Sequence, residues 1–282
     1  MKDLLSWIEK TGLNNLIFAT DMDLTLLDKS SDPDIVSVPD TFEADCQQID
    51  NLTNGRFFII TGRDIEFVDM AVFKNHSVKI SAEYNCMARL DPAKGKLDLI
   101  KRPKWDLIDD DLKDLLSDNP DWRLRIKPFM RSFHHHLPPE ATEQKEKLRN
   151  KLQGLIDKVC QETGQKLELI DGGPIFDMKP QGPDKAQALE NILTHCKTKY
   201  NGEHPMVPIY FGDSPGDLPA AKAAQTHGGI FISVGNDQRV TSVADYHLQS
   251  PAECRRLISK IANATQNPAT EPTTPPTEPA GP

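Results

Sequence analysis

The stretch LIFATDMDLTLLD, which runs from Leu16 to Asp28, decides the predicted fold of this chain. The apolar run at residues 15–20 is typical of a buried parallel strand that feeds a loop. Asp21 and Asp23 follow the run at once, so two carboxylates stand close together at the end of a buried strand. Because like charges and burial both disfavour ionised carboxylates, this pair needs a compensating partner elsewhere in the chain.

The same pattern recurs along the chain, with helix-like segments between several of the apolar runs. Further strands are predicted within residues 56–64, 77–85, 206–217 and 228–236. Strands that alternate with helices predict an α/β fold built on a doubly wound parallel sheet. Ligands bind such a sheet at the carboxyl ends of its strands, which is where the polar residues of interest fall.

The middle of the chain breaks this alternation. Residues 90–180 combine hairpin-like segments with helices, which predicts an α+β cap domain inserted into the core. The core is then formed by residues 1–89 and 181–262. Residues 263–282 are rich in Pro and Thr and lack large apolar side chains, so we predict a disordered tail.

The composition argues against several classes of function. The 282 residues are 38% hydrophobic, which is enough for a sizeable core, and carry a formal net charge of −9. An acidic chain argues against nucleic acid and anionic membranes as partners. The five cysteines form no CxxC pair, which argues against a zinc site or a disulfide framework. With no signal-peptide pattern and no apolar run of membrane-spanning length, we expect a cytoplasmic protein, and the sequence sets no oligomeric state.

Four polar features stand at the ends of core strands or at the start of a core helix. They are the pair Asp21 and Asp23, then Thr61, then Lys185, then the pair Asp213 and Asp217. Several carboxylates at one point call for a cation, and hard oxygen ligands suit Mg²⁺. One aspartate can act as nucleophile and a second as acid and base, while a hydroxyl and an ammonium hold the phosphoryl oxygens. The set therefore predicts phosphoryl transfer.

The motif DMDLT, a Thr after a strand, a Lys and GDSPGD follow one another in this order. Together they resemble the four motifs of the haloacid dehalogenase superfamily of phosphatases. The resemblance implies that Asp21 is the nucleophile and a Mg²⁺ ligand. It also implies that Asp23 is the general acid and base, with its backbone carbonyl on the metal, and that Thr61 binds the phosphoryl group.

The resemblance also assigns roles to later residues. Lys185 would pair with the phosphate and the nucleophile, Asp213 would ligate Mg²⁺, and Asp217 would support or share that task. Lys179 competes for the lysine role, and Lys185 is preferred because it opens a helix, as the family's lysine does.

The insertion between the second and third motifs resembles a type II cap. Its segments RIKPFMRSFHHHLPPE and PIFDMKPQGPDKAQAL are similar to segments of the trehalose-6-phosphate phosphatase family. On this basis Lys127, His134 and Asp177 would face the sugar. The sequence also departs from the pattern, since Arg125 stands where that family carries Glu, and Leu24 where sugar phosphatases usually carry Gly.

These observations predict a Mg²⁺-dependent phosphatase that hydrolyses a small phosphorylated metabolite through an aspartyl-phosphate. The predicted substrate is a sugar phosphate, with trehalose 6-phosphate as the leading candidate. The alternatives are a phosphatase for another sugar phosphate or a glycosyl-phosphoglycerate, a catalytically silent binding protein of the same fold, and a phosphoryl-transferring mutase. The substrate alternatives stay open because the departures fall on residues expected to contact the sugar.

Overall fold

The structure is a computed structural model that describes residues 2–30, 36–74, 78–138, 140–202 and 205–264. Its strands are β1 (Leu16–Thr20), β2 (Phe57–Ile60), β3 (Lys79–Ala82), β4 (Met87–Arg89), β5 (Leu97–Asp98), β6 (Arg123–Ile126), β7 (Arg131–His134), β8 (Leu167–Asp171), β9 (Ile175–Pro180), β10 (Val207–Gly212), β11 (Ile230–Val234) and β12 (Tyr246–Leu248). Its α-helices are α1 (Lys2–Thr11), α2 (Phe42–Leu52), α3 (Ile65–Ala71), α4 (Asp109–Ser117), α5 (Thr142–Thr163), α6 (Lys185–Lys199), α7 (Leu218–Thr226), α8 (Gln238–Thr241) and α9 (Pro251–Ala264).

The larger sheet has eight strands in the order β12-β11-β10-β1-β2-β3-β4-β5. The six strands from β12 to β3 are mutually parallel, and β4 and β5 extend the sheet in antiparallel pairs. Successive strands move outward from β1 in one direction and from β10 in the other. The boundary between β1 and β10 is therefore the switch point where a doubly wound sheet binds its ligands, which agrees with the predicted fold class.

Both faces of the larger sheet are covered, which explains why β1 is apolar throughout. Leu16 and Phe18 pack in one hydrophobic cluster with residues of α1, α2 and α9. Ile17 and Ala19 point to the opposite face and pack against α6 and α7. All four side chains are at most 1% exposed, and burial of each large one stabilises the fold by about 1.5–3 kcal/mol.

The smaller sheet is antiparallel, with strand order β6-β7-β9-β8. Helix α5 covers it with an apolar stripe at helical spacing, formed by Leu148, Leu152, Ile156 and Val159. The helix ends at Gly164, whose φ of 68° lies in the left-handed region that glycine adopts without steric penalty. This sheet and its helices form a hydrophobic cluster of their own, as the α+β prediction for the middle of the chain requires.

The turn of the β6–β7 hairpin reaches out of the smaller sheet and into the larger unit. Phe129 and Met130 are fully buried and belong to the same hydrophobic cluster as β1. The Phe129 amide donates a 2.9 Å hydrogen bond to the Glu83 carboxylate, which follows β3. The Lys127 ammonium donates a 3.0 Å bond to the Gly62 carbonyl, which follows β2. The two units are thus joined at the carboxyl ends of two core strands.

Two elements of the structure extend past the predicted domain boundaries. Strand β5 pairs with β4, so the larger sheet extends beyond the predicted core segment 1–89 as far as Asp98. Helix α9 runs to Ala264, two residues into the predicted tail, and residues 265–282 lie outside the described part of the chain. The division into core, cap and tail remains a prediction. Among the described helices, none combines the length and apolar character needed to cross a bilayer.

Candidate active site

The register of the central strands brings the first and fourth motifs together. Thr20 at the end of β1 pairs with Phe211 of β10, and the Asp21 amide donates a 2.9 Å bond to the Phe211 carbonyl. The Thr25 hydroxyl, from the same DMDLT segment, donates to Asp213 Oδ1 at 3.3 Å. Asp21 and Asp213, which lie 192 positions apart in the sequence, therefore meet at the switch point of the sheet.

Lys185 is a buried cation that lies between the carboxylates of Asp21 and Asp217. It is the first residue of α6, and the side chain of Asp184 before it caps the helix by accepting from the Gln187 amide at 2.8 Å. Its Nζ atom lies 2.8 Å from Asp21 Oδ1 and 2.7 Å from Asp217 Oδ1. Burial lowers the pKa of Lys185, but the two carboxylates outweigh this effect and raise its pKa above the ordinary value.

Asp217 is fully buried, and both of its oxygens accept hydrogen bonds. Oδ1 accepts from Lys185 and from the Tyr210 hydroxyl at 2.5 Å. Oδ2 accepts from the amides of Asp213 and Ser214 and from the Ser214 hydroxyl, at 3.0–3.2 Å. Burial raises the pKa of Asp217, yet Lys185 and these hydrogen bonds lower it below the ordinary value. Asp217 therefore holds Lys185 and the loop after β10 in place.

The three aspartates form a possible cation site. One oxygen each from Asp21, Asp213 and Asp217 lies within 4.8 Å of the others. Burial raises the pKa of Asp21 well above its ordinary value, and Asp217 and Asp213 add to the effect while Lys185 opposes it. Burial and Asp217 raise the pKa of Asp213 to about 6. A divalent cation would offset both effects, and hard carboxylate oxygens are the ligands that Mg²⁺ prefers.

Asp23 lies apart from this cluster and pairs with Arg63. Arg63 Nε donates to Asp23 Oδ2 at 2.8 Å, and Nη2 donates to Oδ1 at 2.7 Å, which makes a bidentate pair. The Asp23 side chain is 42% exposed and lines the same cleft as Asp21. The Arg63 guanidinium also stacks on the Phe67 ring, with Cζ 4.2 Å from the ring centroid. Asp23 is thus the accessible carboxylate of the pair that begins the motif.

Thr61 ends up buried where β2 gives way to the loop that carries Gly62 and Arg63. Its amide donates to the Ser81 carbonyl at 3.0 Å, and its hydroxyl oxygen accepts from the Arg63 amide at 3.1 Å. Gly62 lines the cleft, and the Tyr84 ring lies 3.0 Å from where a Cβ atom on Gly62 would stand. A side chain on Gly62 would crowd Tyr84, so this ring would have to shift by a few tenths of an ångström to admit one.

Leu24 adopts a left-handed backbone, with a φ of 61°. Its amide donates to the Leu27 carbonyl at 2.9 Å, which closes a tight turn at the edge of the cleft. The side chain is 43% exposed, so its packing contributes little free energy to offset the backbone strain. This geometry explains why related phosphatases are expected to carry glycine at a position where this chain has leucine.

The three predicted cap residues line the same cleft, whose volume is about 440 Å³. Lys127 approaches it from the β6–β7 turn, His134 from β7 and Asp177 from β9. Burial lowers the pKa of His134 to about 4, although Asp177 opposes the effect, so the imidazole is neutral at neutral pH. The structure thus brings the core motifs and the cap residues to one cleft of a size usual for small-molecule sites.

Lys179, the competitor for the lysine role, is engaged elsewhere. Its Nζ atom lies 2.6 Å from Glu168 Oε1 and donates to the carbonyls of Pro180 and Pro183. It does not line the cleft as the described residues form it, whereas Lys185 does.

Sequence reasoning missed several residues that organise the site. Tyr210 is hidden within the apolar strand β10, and only its hydroxyl contact with Asp217 distinguishes it from a core side chain. The sequence predicts Arg63, which directly follows the Thr-Gly pair, at a helix start near the site, but it does not indicate the pairing with Asp23. Ser132 and Tyr84 line the cleft without belonging to any of the four motifs.

No protein-family profile matches the chain. Among curated proteins, a trehalose 6-phosphate phosphatase of Zea mays is 35% identical over 99 residues, which cover 34% of this chain and 27% of the maize protein. A trehalose-6-phosphate phosphatase of Escherichia coli is 23% identical over 222 residues, which cover 76% of each chain.

Solved structures share the fold over most of the chain. The C-terminal domain of the trehalose-6-phosphate phosphatase of C. albicans superposes with a TM-score of 0.76 at 20% identity, covering 93% of this chain and 96% of that one. A haloacid dehalogenase-like hydrolase from Bacteroides thetaiotaomicron gives a TM-score of 0.56 at 17% identity, covering 88% of this chain and 99% of that one. The chain has the haloacid dehalogenase fold. Its predicted resemblance to trehalose-6-phosphate phosphatases is confirmed by these similarities.

Within this haloacid dehalogenase fold, all four predicted motifs lie at the same edge of the larger sheet. Asp21 follows β1, Thr61 follows β2 and Asp213 follows β10. Lys185 reaches the same point from the first turn of α6. The four motifs, which are separated in the sequence, thus meet at one place in the fold.

Proposed function

We propose that the chain is a phosphoric monoester hydrolase that depends on Mg²⁺ and acts on a sugar phosphate, with trehalose 6-phosphate as the leading candidate. The observation that carries the proposal is the buried contact of Lys185 with both Asp21 and Asp217, beside Asp213 and beneath the cap face. The names of the similar proteins support the substrate class. The cytoplasmic location predicted from the sequence is kept as part of this proposal.

Asp21 and Asp213 are the side chains that would hold the metal. The oxygens of Asp217 already accept from five donors, so we give Asp217 the task of orienting Lys185 and the loop after β10. When bound, Mg²⁺ would supply positive charge to the oxygens of the transferring phosphoryl group.

Asp21 is proposed as the nucleophile that attacks phosphorus and carries the phosphoryl group as an aspartyl-phosphate. Lys185 holds the attacking carboxylate in place and, with Thr61, stabilises charge on the phosphoryl oxygens. Asp23 would donate a proton to the leaving alcohol and later remove one from the attacking water. Its exposure to the cleft and its distance from Lys185's ion pairs suit a group that must exchange protons with the substrate.

The decisive experiment is a phosphate-release assay with Mg²⁺ over trehalose 6-phosphate, glucose 6-phosphate and p-nitrophenyl phosphate. Asp21→Asn should reduce release from every substrate to background. The matched control is Asp110→Asn, which changes an exposed carboxylate of α4 that pairs with Lys113 outside the cleft lining. That variant should keep wild-type rates, and chelation of Mg²⁺ by EDTA should stop the wild-type enzyme.

Four results would contradict parts of the proposal. Full activity of Asp21→Asn would remove the nucleophile assignment, and full activity in EDTA would remove the metal. Release from p-nitrophenyl phosphate without release from either sugar phosphate would leave a phosphatase with another substrate. No release at all from the wild type, with Mg²⁺ binding intact, would identify a binding protein of the same fold.

A further inference from the structure

Ser132 carries a buried hydroxyl that the proposed chemistry does not use. The residue lies in β7, opposite Asp177 of β9 in the sheet register, and is 3% exposed. Among the residues that the structure describes, none forms a hydrogen bond with its Oγ atom. Because a buried hydroxyl without a partner is unfavourable by about 1–3 kcal/mol, such groups in native proteins call for an explanation.

The Ser132 side chain faces the cleft and not the interior of the cap. Ser132 and His134 both line the cleft, while Phe133 between them packs in the cap's hydrophobic cluster. His135 turns the other way, and its ring packs at a tilt against that of Phe176, with 5.2 Å between the ring centroids. Strand alternation thus points the unpartnered hydroxyl at the space above Asp21.

Tyr84 brings a second hydroxyl to this space from the core. Glu83, Tyr84 and Asn85 have φ values of 47°, 55° and 74°, a run of three non-glycine residues in the left-handed region. Each costs about 1–2 kcal/mol relative to a right-handed backbone, and such strain concentrates at functional sites. Tyr84 lines the same cleft as Ser132 and Asp177, and its ring packs against Gly62, which follows β2.

We propose that Ser132 binds a hydroxyl group of the leaving alcohol, in a subsite completed by Asp177 and Tyr84. The subsite rests on the proposed phosphatase function and names the residues that select its substrate. Serine and tyrosine hydroxyls both donate and accept hydrogen bonds, and the Asp177 carboxylate accepts only. A polyol presents donors and acceptors together on neighbouring carbons and satisfies all three groups, whereas an aryl or alkyl leaving group leaves them unpaired.

The test compares substrates that have and lack hydroxyls on the leaving group. Ser132→Ala should lower kcat/KM for trehalose 6-phosphate and glucose 6-phosphate about tenfold, chiefly through KM. It should change kcat/KM for p-nitrophenyl phosphate less than twofold. Ser117→Ala, which removes an exposed serine hydroxyl from α4 of the cap, is the matched control and should change neither value.

Calorimetry of trehalose and glucose binding to the wild type and to Ser132→Ala measures sugar binding without phosphate release. It therefore tests the subsite separately from the chemistry. Loss of sugar binding in the variant supports the subsite even if no phosphate is released from any substrate. Equal losses for the sugar phosphates and p-nitrophenyl phosphate would indicate a structural role and overturn the proposal. The proposal would also be overturned if the ratio of kcat/KM between the sugar phosphates and p-nitrophenyl phosphate were the same in Ser132→Ala and in the wild type. A wild type that neither binds these sugars nor hydrolyses their phosphates would overturn it as well. Ser132→Cys, which conserves the side chain's shape, should behave like Ser132→Ala.

Discussion

The core side and the cap side of the cleft differ in how their polar groups are satisfied. On the core side, Lys185 contacts two carboxylates and Asp217 accepts from five donors, so both of these buried charges have several partners. On the cap side, the Ser132 hydroxyl has no partner among the described residues. A closed network fixes reacting groups before substrate arrives, whereas open hydrogen-bonding capacity leaves specificity to be completed by the substrate.

Loss of the core cation should have the largest effect. Lys185→Met leaves Asp21 and Asp217 buried without their shared partner, so we expect the free energy of unfolding at pH 7 to fall by about 3–5 kcal/mol. Phosphate release should fall about 10²–10³-fold, since Lys185 is also proposed to face the phosphoryl group. Urea denaturation and the release assay measure the two effects. Lys179→Met is the control for activity, and inactivity of that variant beside an active Lys185→Met would transfer the role to Lys179.

Glu83 of the core accepts from the Phe129 amide of the cap's hairpin turn, and this contact should make the free energy of unfolding depend on pH. Burial raises the pKa of Glu83 from 4.5 to about 7. Between these values the unfolded chain releases a proton that the folded chain keeps, so the free energy of unfolding falls as pH rises. Below pH 4.5 this contribution is fully present, and by pH 7 about 3 kcal/mol has been lost.

Glu83→Gln should remove this dependence. Denaturation by urea at several values between pH 4 and 8 compares the variant with the wild type and with Glu146→Gln, which changes an exposed glutamate of α5. If the wild type and Glu83→Gln keep parallel profiles, Glu83 does not couple the hairpin turn to protonation.

The Arg63 pair tests whether the core side controls leaving-group protonation. Without its guanidinium partner, Asp23 loses its fixed orientation, so Arg63→Ala should lower kcat/KM for a sugar phosphate about tenfold. The loss for p-nitrophenyl phosphate should be smaller, because that leaving group departs without a proton. Arg102→Ala, which removes an exposed arginine paired with Asp98, is the control. Equal losses for both substrates would assign Arg63 to phosphate binding instead.

The smallest effect is expected at the edge of the core motif. Leu24→Gly relieves the left-handed strain but gives the unfolded chain more freedom, so we expect a gain of about 0.5 kcal/mol in the free energy of unfolding. Leu97 is also an exposed leucine, but it lies in strand β5, so Leu97→Gly should instead reduce stability. Thermal unfolding of both variants measures the difference, and a loss at both positions would show that Leu24 carries no net strain.

The core could be predicted from the sequence because its signals are local. An apolar run followed by a polar pair marks a strand end, and parallel strands bring their ends to one edge, so Asp21 and Asp213 could be placed together before any coordinates. Lys185 could be preferred to Lys179 from its position at a helix start. The hydrogen bonds that saturate Asp217 could not be foreseen, because they depend on the burial of Tyr210 and on the loop after β10.

The cap side was less predictable for a physical reason. A buried serine in a four-residue strand has no sequence signature, and the meaning of Ser132 lies in the absence of a described partner for its hydroxyl. On the core side, the strained run at Glu83 to Asn85 could not be predicted either, since none of its residues is a glycine. The left-handed turn at Leu24 was the exception, because the resemblance to sugar phosphatases had singled out that position.

The burial of Phe129 and Met130 in the core bears on how such enzymes diversify. A cap exchanged between relatives by joining only its two ends would bring a foreign hairpin turn into the hydrophobic cluster of this core. The incoming turn would have to present an apolar side chain and an amide placed to meet Glu83. We therefore expect an exchanged cap to fold on this core only where the hairpin turn and the end of β3 are exchanged together.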